Sequence, residues 1–113
     1  MQKLSLIALG RQHLKLAKQA ANGRSAETFY GGHERALRQT LIALAAGTVL
    51  KIQDGPDEAT VQVQSGRIRL IVGQATWNGS PGDLLVVPAG QHSIEAVEDS
   101  VLVLTVSMTI QVR

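Results

Sequence analysis

The run Ala59–Val72, A-T-V-Q-V-Q-S-G-R-I-R-L-I-V, constrains the fold more than any other stretch. Ala59, Val61 and Val63 recur at every second residue, with Thr60, Gln62 and Gln64 between them. Successive side chains of a strand point to opposite faces, so this spacing gives one apolar and one polar face. Ser65-Gly66 supplies a turn, and Arg67–Val72 predicts a second strand returning beside the first. The same grammar recurs from Thr28 onward. Gly31-Gly32 reads as a turn or bulge, and Arg35–Leu44 as a strand with a short helix as the alternative. Val49–Gln53 follows the Ala46-Gly47 break, and Asp54-Gly55-Pro56-Asp57 is a dense turn signal. Ala75–Trp77, Leu84–Val87, His92–Val97 and Ser100–Ser107 complete the strands, separated by N-G-S-P-G and Pro88-Ala89-Gly90. Seven or more short strands between Gly/Pro turns predict an all-β sandwich or barrel. With one Phe, one Tyr and one Trp in 113 residues, its core must be aliphatic.

Residues 5–22 break this pattern and predict a helix, capped by Ser5 and ended by Asn22-Gly23. At 100° per residue Leu6, Leu9, His13, Leu16, Ala17 and Ala20 share a face that packs on the body, with His13 as a packed or interfacial histidine. Gly10 inside the helix costs about 1 kcal/mol relative to Ala. The expected organisation is a helical extension over residues 1–24 and a single β-barrel domain over 25–113. Residues 1–24 carry five basic side chains and no acid, whereas the remainder carries six basic and nine acidic ones. The basic helix face reads as a solvated surface. It lacks the Trp or Phe anchor of a membrane-surface helix, and so few aromatics disfavour a nucleic-acid partner.

The chain has no cysteine, which excludes disulfides, thiolate metal sites and a cysteine nucleophile. P-loop, G-x-S-x-G and H-E-x-x-H patterns are absent, and the serines have no evident base partner in the sequence. Asp54 and Glu58 read as solvated turn carboxylates, and His33 as a surface loop residue. The apolar run Leu4–Leu9 is too short for an export signal, and no run approaches the ~20 residues of a membrane helix. The expectation is a soluble cytoplasmic protein without a membrane partner.

Two spaced motifs carry a family resemblance over about residues 37–107. Gly47 is followed after five residues by Gln53, then by Gly55, Ala59 and Gly66. This is the spacing of G-x5-H-x-H-x3–4-E-x6-G, with Gln53 and Gly55 in the histidine slots and Ala59 in the glutamate slot. Gly82, five residues on, leads to Pro88-Ala89-Gly90 and then His92, against G-x5-P-x-G-x-x-H with the histidine one residue early. In both motifs the chain resembles the cupin superfamily. The resemblance implies a double-stranded β-helix, or jelly-roll barrel, with the motif glycines and Pro88 at its corners.

For function, the resemblance implies a barrel-interior site in which His92 stands for the family's last metal ligand. His92, Ile94 and Ala96 share one face by alternation, so a strand with its aliphatic side inward carries His92 inward too. One imidazole and the amide of Gln53 fall short of the three or four ligands a divalent transition metal takes. No resident metal is expected, with His92 the one candidate ligand if a metal does bind. His92 and Gln53 are instead the candidate polar groups of an otherwise aliphatic small-molecule pocket, or His92 is a barrel-mouth histidine bonded to Gln53 or to water. The alternative is a divergent cupin enzyme, a metal-dependent dioxygenase or an isomerase, using His92. A homodimer is expected from the resemblance, with Arg35–Leu44 and the N-terminal helix as the elements that cover strand edges.

Overall fold

The computed structural model describes residues 2–32, 34–55 and 58–107. His33, Pro56, Asp57 and the segment 108–113 lie outside the described residues, as does the side chain of Asp54. Among the described residues a helix, α1 (Leu6–Gln19), precedes nine strands: β1 (Arg24–Tyr30), β2 (Leu37–Leu44), β3 (Val49–Gly55), β4 (Ala59–Ser65), β5 (Ile68–Val72), β6 (Ala75–Gly79), β7 (Leu84–Val87), β8 (Gly90–Ala96) and β9 (Ser100–Ser107). Two antiparallel sheets face each other in the orders β1-β2-β9-β4-β7 and β3-β8-β5-β6. This is the predicted jelly roll. The short-helix alternative for Arg35–Leu44 is not what forms, since β2 pairs along its length with β9.

The period-two pattern of β4 does what it predicts. Ala59, Val61 and Val63 are buried in the space between the sheets, where they meet Ile42, Leu44, Ile68, Leu70, Ile94 and Leu102. The core is aliphatic throughout. β1 begins at Arg24, earlier than the sequence pattern predicts. Its alternation is weak because only Ser25 and Phe29 are drawn in, against α1 rather than the barrel interior.

The helix is capped by Ser5, whose Oγ accepts the Ala8 N–H at 3.2 Å, but it ends at Gln19, three residues short of Asn22. It lies on the outer face of the five-stranded sheet, with Leu9 and Ala17 against Leu41, Ala43 and Val101. The buried stripe is Leu9, Gly10, His13 and Ala17, whereas Leu16 is exposed. Gly10, which weakens the helix in isolation, allows the close approach: a Cβ there would stand 3.1 Å from Val101 Cγ1. Neither expected edge cover is one. β2 is internal, between β1 and β9, and α1 covers a face.

The corner glycines behave mechanically. Gly47, Gly66, Gly82 and Gly90 all have positive φ, the region glycine enters at no steric cost. Opposite the Gly66 corner, Asp99 fastens the β2–β3 connection: its Oδ1 accepts the Ala46 N–H at 2.8 Å, and Oδ2 lies 3.4 Å from Lys18 Nζ on α1. The Ala46 hydrogen bond, aided by Lys18 and opposed by desolvation, holds the Asp99 carboxyl below its ordinary value of 3.8. A lowered folded-state value adds stability that is complete above the unfolded value and lost as pH falls through the folded one. Acid titration of stability is therefore expected to steepen below about pH 4, and Asp99→Asn to flatten that limb while changing its neutral end by a constant offset. Equilibrium denaturation at a series of pH values checks this.

Candidate functional site

His92 sits at the start of the inward face of β8. The burial of β8 alternates, with His92, Ile94 and Ala96 inside and Ser93 and Glu95 half-buried on the other side. Only 5% of His92 is exposed, and the backbone partner opposite it is Ile52 of β3. The core that Ile94 and Ala96 join is aliphatic, with Leu50, Val72, Leu85 and Leu104 partly buried against it.

Among the described residues the ring has one hydrogen bond. Nδ1 lies 3.2 Å from the carbonyl oxygen of Gly90, two residues earlier, and must donate to it. The left-handed bend at Gly90, φ +95°, gives the chain the corner from which this carbonyl is presented to the ring. With the proton on Nδ1, the neutral imidazole carries a lone pair on Nε2. Nε2 is fully buried and has no hydrogen-bond partner among the described residues. A buried polar atom left unpaired costs about 1–3 kcal/mol, which makes this nitrogen the chemically unfinished point of the barrel.

Gln53 does not finish it. β3 loses regular register with β8 between Ile52 and Gly55, and the Gln53 side chain is exposed. Its Oε1 accepts from Gln91 Nε2 at 2.7 Å, so the amide is held on the surface by a neighbour rather than by the imidazole. Gln53 and His92 do border one depression of about 250 Å³, shared with Lys51, Ile71, Gln91 and Ser93. Lys51, Ile71 and Ser93 belong to the outer face of their sheet by register, so this depression meets the strand pair from outside.

The motif slots do not assemble a metal centre. Ala59 places a methyl group in the core where the family pattern has a carboxylate, and Gly55 has no donor side chain. Glu58, one residue earlier, is exposed. Among the described residues no three His, Asp or Glu side chains converge in a way that could hold a metal ion. A single fixed imidazole nitrogen is a poor fit to a divalent transition metal.

A second polar cluster was not foreseen from the sequence. His13 on α1 is buried against β1, with Nδ1 2.7 Å from Ser25 Oγ and Nε2 2.9 Å from Glu27 Oε1. Ser25 does have an imidazole partner, contrary to expectation. The available signal was S-A-E, which puts Ser25 and Glu27 on one face of a strand, but it required β1 to be read from Arg24. The cluster joins helix to sheet.

No family model matches the sequence, and no curated protein matches it. Solved structures do. A cupin superfamily protein from Desulfitobacterium hafniense is 15% identical with a TM-score of 0.69, over 83% of this chain and 88% of that one. The cupin_2 domain of an XRE family transcriptional regulator from Enterobacter cloacae is 11% identical with a TM-score of 0.68, over 77% and 98%. A mutant form of salicylate 1,2-dioxygenase from Pseudoaminobacter salicylatoxidans is 23% identical with a TM-score of 0.70, over 88% of this chain and 32% of that one. At these identities the likeness concerns architecture, and enzymes and regulators share it. No helix among the described residues is long and apolar enough to cross a membrane. The corner glycines, the two facing sheets and these neighbours together give the chain the cupin fold.

Proposed function

We propose that the chain is a cupin-fold binding protein that takes a small, mainly apolar molecule at the His92 end of the barrel, without a metal. The observation that carries this reading is the buried Nε2 of His92, which has no partner among the described residues, on the strand face that continues into the aliphatic core through Ile94 and Ala96. A ligand with one O–H or N–H donor and an apolar body would pair that nitrogen and cover its neighbours. Recognition then rests on one acceptor fixed in direction by the Gly90 carbonyl. Gln53 and Gln91 mark the outer approach to the same strand pair.

A divergent enzyme using Nε2 as general base draws on the same nitrogen. It requires a second proton-transfer group facing the ring, and no such side chain hydrogen-bonds His92 among the described residues.

His92→Leu separates binding from folding. The substitution removes the unpaired Nε2 and also the Nδ1–H bond to the Gly90 carbonyl, which is half-buried and within reach of water. The two changes oppose each other, and the variant is expected to lie within about 1 kcal/mol of wild type without ligand. Thermal shift with a panel of small phenols, alcohols and amides, and separately with Mn²⁺, Fe²⁺, Ni²⁺ and Zn²⁺, is expected to find organic compounds that stabilise wild type and not His92→Leu. Stoichiometric metal in the untagged protein, lost in His92→Leu, would overturn the reading.

A further inference from the structure

β7 is the most apolar of the four sheet edges. It reads L-L-V-V, without a charge, a proline or a bulge inside it. The opposite edge of the same sheet, β1, carries Arg24 and Glu27 and a register shift after Thr28. In the other sheet β3 carries Lys51 and an irregular register, and β6 is uncharged but carries Thr76 and Asn78. Charges and bulges keep sheet edges from pairing with other chains. β7 has neither, and Leu84 and Val86 are 60% and 76% exposed on the outer face that α1 leaves uncovered. An apolar groove of about 370 Å³ continues from Val86 past Thr60 and Thr105 to Leu37, with Glu58 as its one charged lining residue among the described residues.

The phase of the main-chain hydrogen bonds says what fits this edge. Val63 N–H donates to the Asp83 carbonyl at 3.0 Å, so odd-numbered residues of this strand direct their main-chain groups towards β4. The N–H and C=O groups of Leu84 and Val86 therefore face away from the sheet. Directly opposed residues in an antiparallel pair share a face, so β7 can pair with itself where Leu85 stands opposite its own copy. In that register Leu84 opposes Val86 of the second copy, and the two free residues on each side exchange four N–H···O=C bonds. The register is self-complementary and brings no like charges together inside the strand.

We propose that a second copy of this chain docks along β7, antiparallel about a two-fold axis beside Leu85, joining two five-stranded sheets into one of ten. The pairing sets Leu84 of each copy beside Val86 of the other on the outer face and leaves α1 and the His92 end of the barrel free.

The chain contains no cysteine, so Leu85→Cys introduces a single thiol. Leu85 would occupy a non-hydrogen-bonded antiparallel pair with Cα atoms about 4.5 Å apart, within the range that a disulfide spans. Mild oxidation of the full chain is expected to convert most Leu85→Cys protein to a disulfide dimer. Val49→Cys, exposed on the other sheet, is expected to remain monomeric on the same non-reducing gel. Wild type is expected to be a dimer by light scattering, and Val86→Lys to weaken it at least about tenfold with native circular dichroism. Val86→Pro serves as the second variant, because it removes an outward N–H and no bond to β4. Cross-linking no greater than that of Val49→Cys, a dimer unaffected by both Val86 variants, or a monomeric wild type would each overturn the proposal.

Discussion

His13→Ala is expected to lower unfolding stability by about 2–3 kcal/mol. The substitution removes a buried ring and leaves a void between α1 and β1, where His13 is 7% exposed. It also strips Ser25 Oγ and Glu27 Oε1 of their imidazole partner. The two partners do not contribute equally. The Glu27 side chain is 47% exposed, so water replaces much of its bond, and Glu27→Gln is expected to cost less than about 1 kcal/mol. The larger share comes from the lost packing, because α1 shields Leu41, Ala43 and Val101. Denaturant midpoints for the two variants check the order. A His13→Ala loss below about 0.5 kcal/mol would mean that the helix is docked by its apolar residues alone.

The second large effect is expected at Gly66. Its φ of +80° lies in the left-handed region, which by itself costs an L-residue about 1–2 kcal/mol. An added Cβ would also meet the Asp99 carbonyl oxygen and lie 2.7 Å from the Ser100 Cα, both main-chain atoms with little room to yield. Ser100 is fully buried, with its Oγ 2.7 Å from the Glu98 carbonyl and 3.0 Å from the Arg67 carbonyl, between which its single O–H is shared. Gly66→Ala is therefore expected to destabilise by more than about 2 kcal/mol, and Gly47→Ala by less, because nothing lies within 4 Å of a Cβ at Gly47. Comparing the two melting curves separates the backbone term from the clash. Equal losses would contradict the geometry.

The contrast between these two sites explains what was legible in the sequence. Gly66 stands at a fixed interval from Gly47, and the turn it makes is local, so spacing alone located it. The alternation of β4 and of His92, Ile94 and Ala96 was legible for the same reason: period two and a single buried face leave one register. β1 was not, because its partner is a helix that buries only Ser25 and Phe29 in part, which erases the alternation. The Ser25–His13–Glu27 contact depends on how α1 crosses that strand, and no interval in the sequence encodes it. Gln53 illustrates the same limit within the candidate site. Motif spacing puts it in a ligand slot, yet the register irregularity after Ile52 leaves its side chain exposed and bonded to Gln91.

The proposed metal-free binding at the barrel end turns on the state of one nitrogen. Long-range ¹H–¹⁵N correlation of the imidazole rings in ligand-free protein, with His92→Leu used to assign the resonances, reads that state directly. The predicted result is a neutral His92 with its proton on Nδ1 and an Nε2 carrying neither proton nor metal, shifting when a donor-bearing ligand is added. A proton on Nε2, or an Nε2 resonance that moves only when a chelator removes a metal, would contradict it.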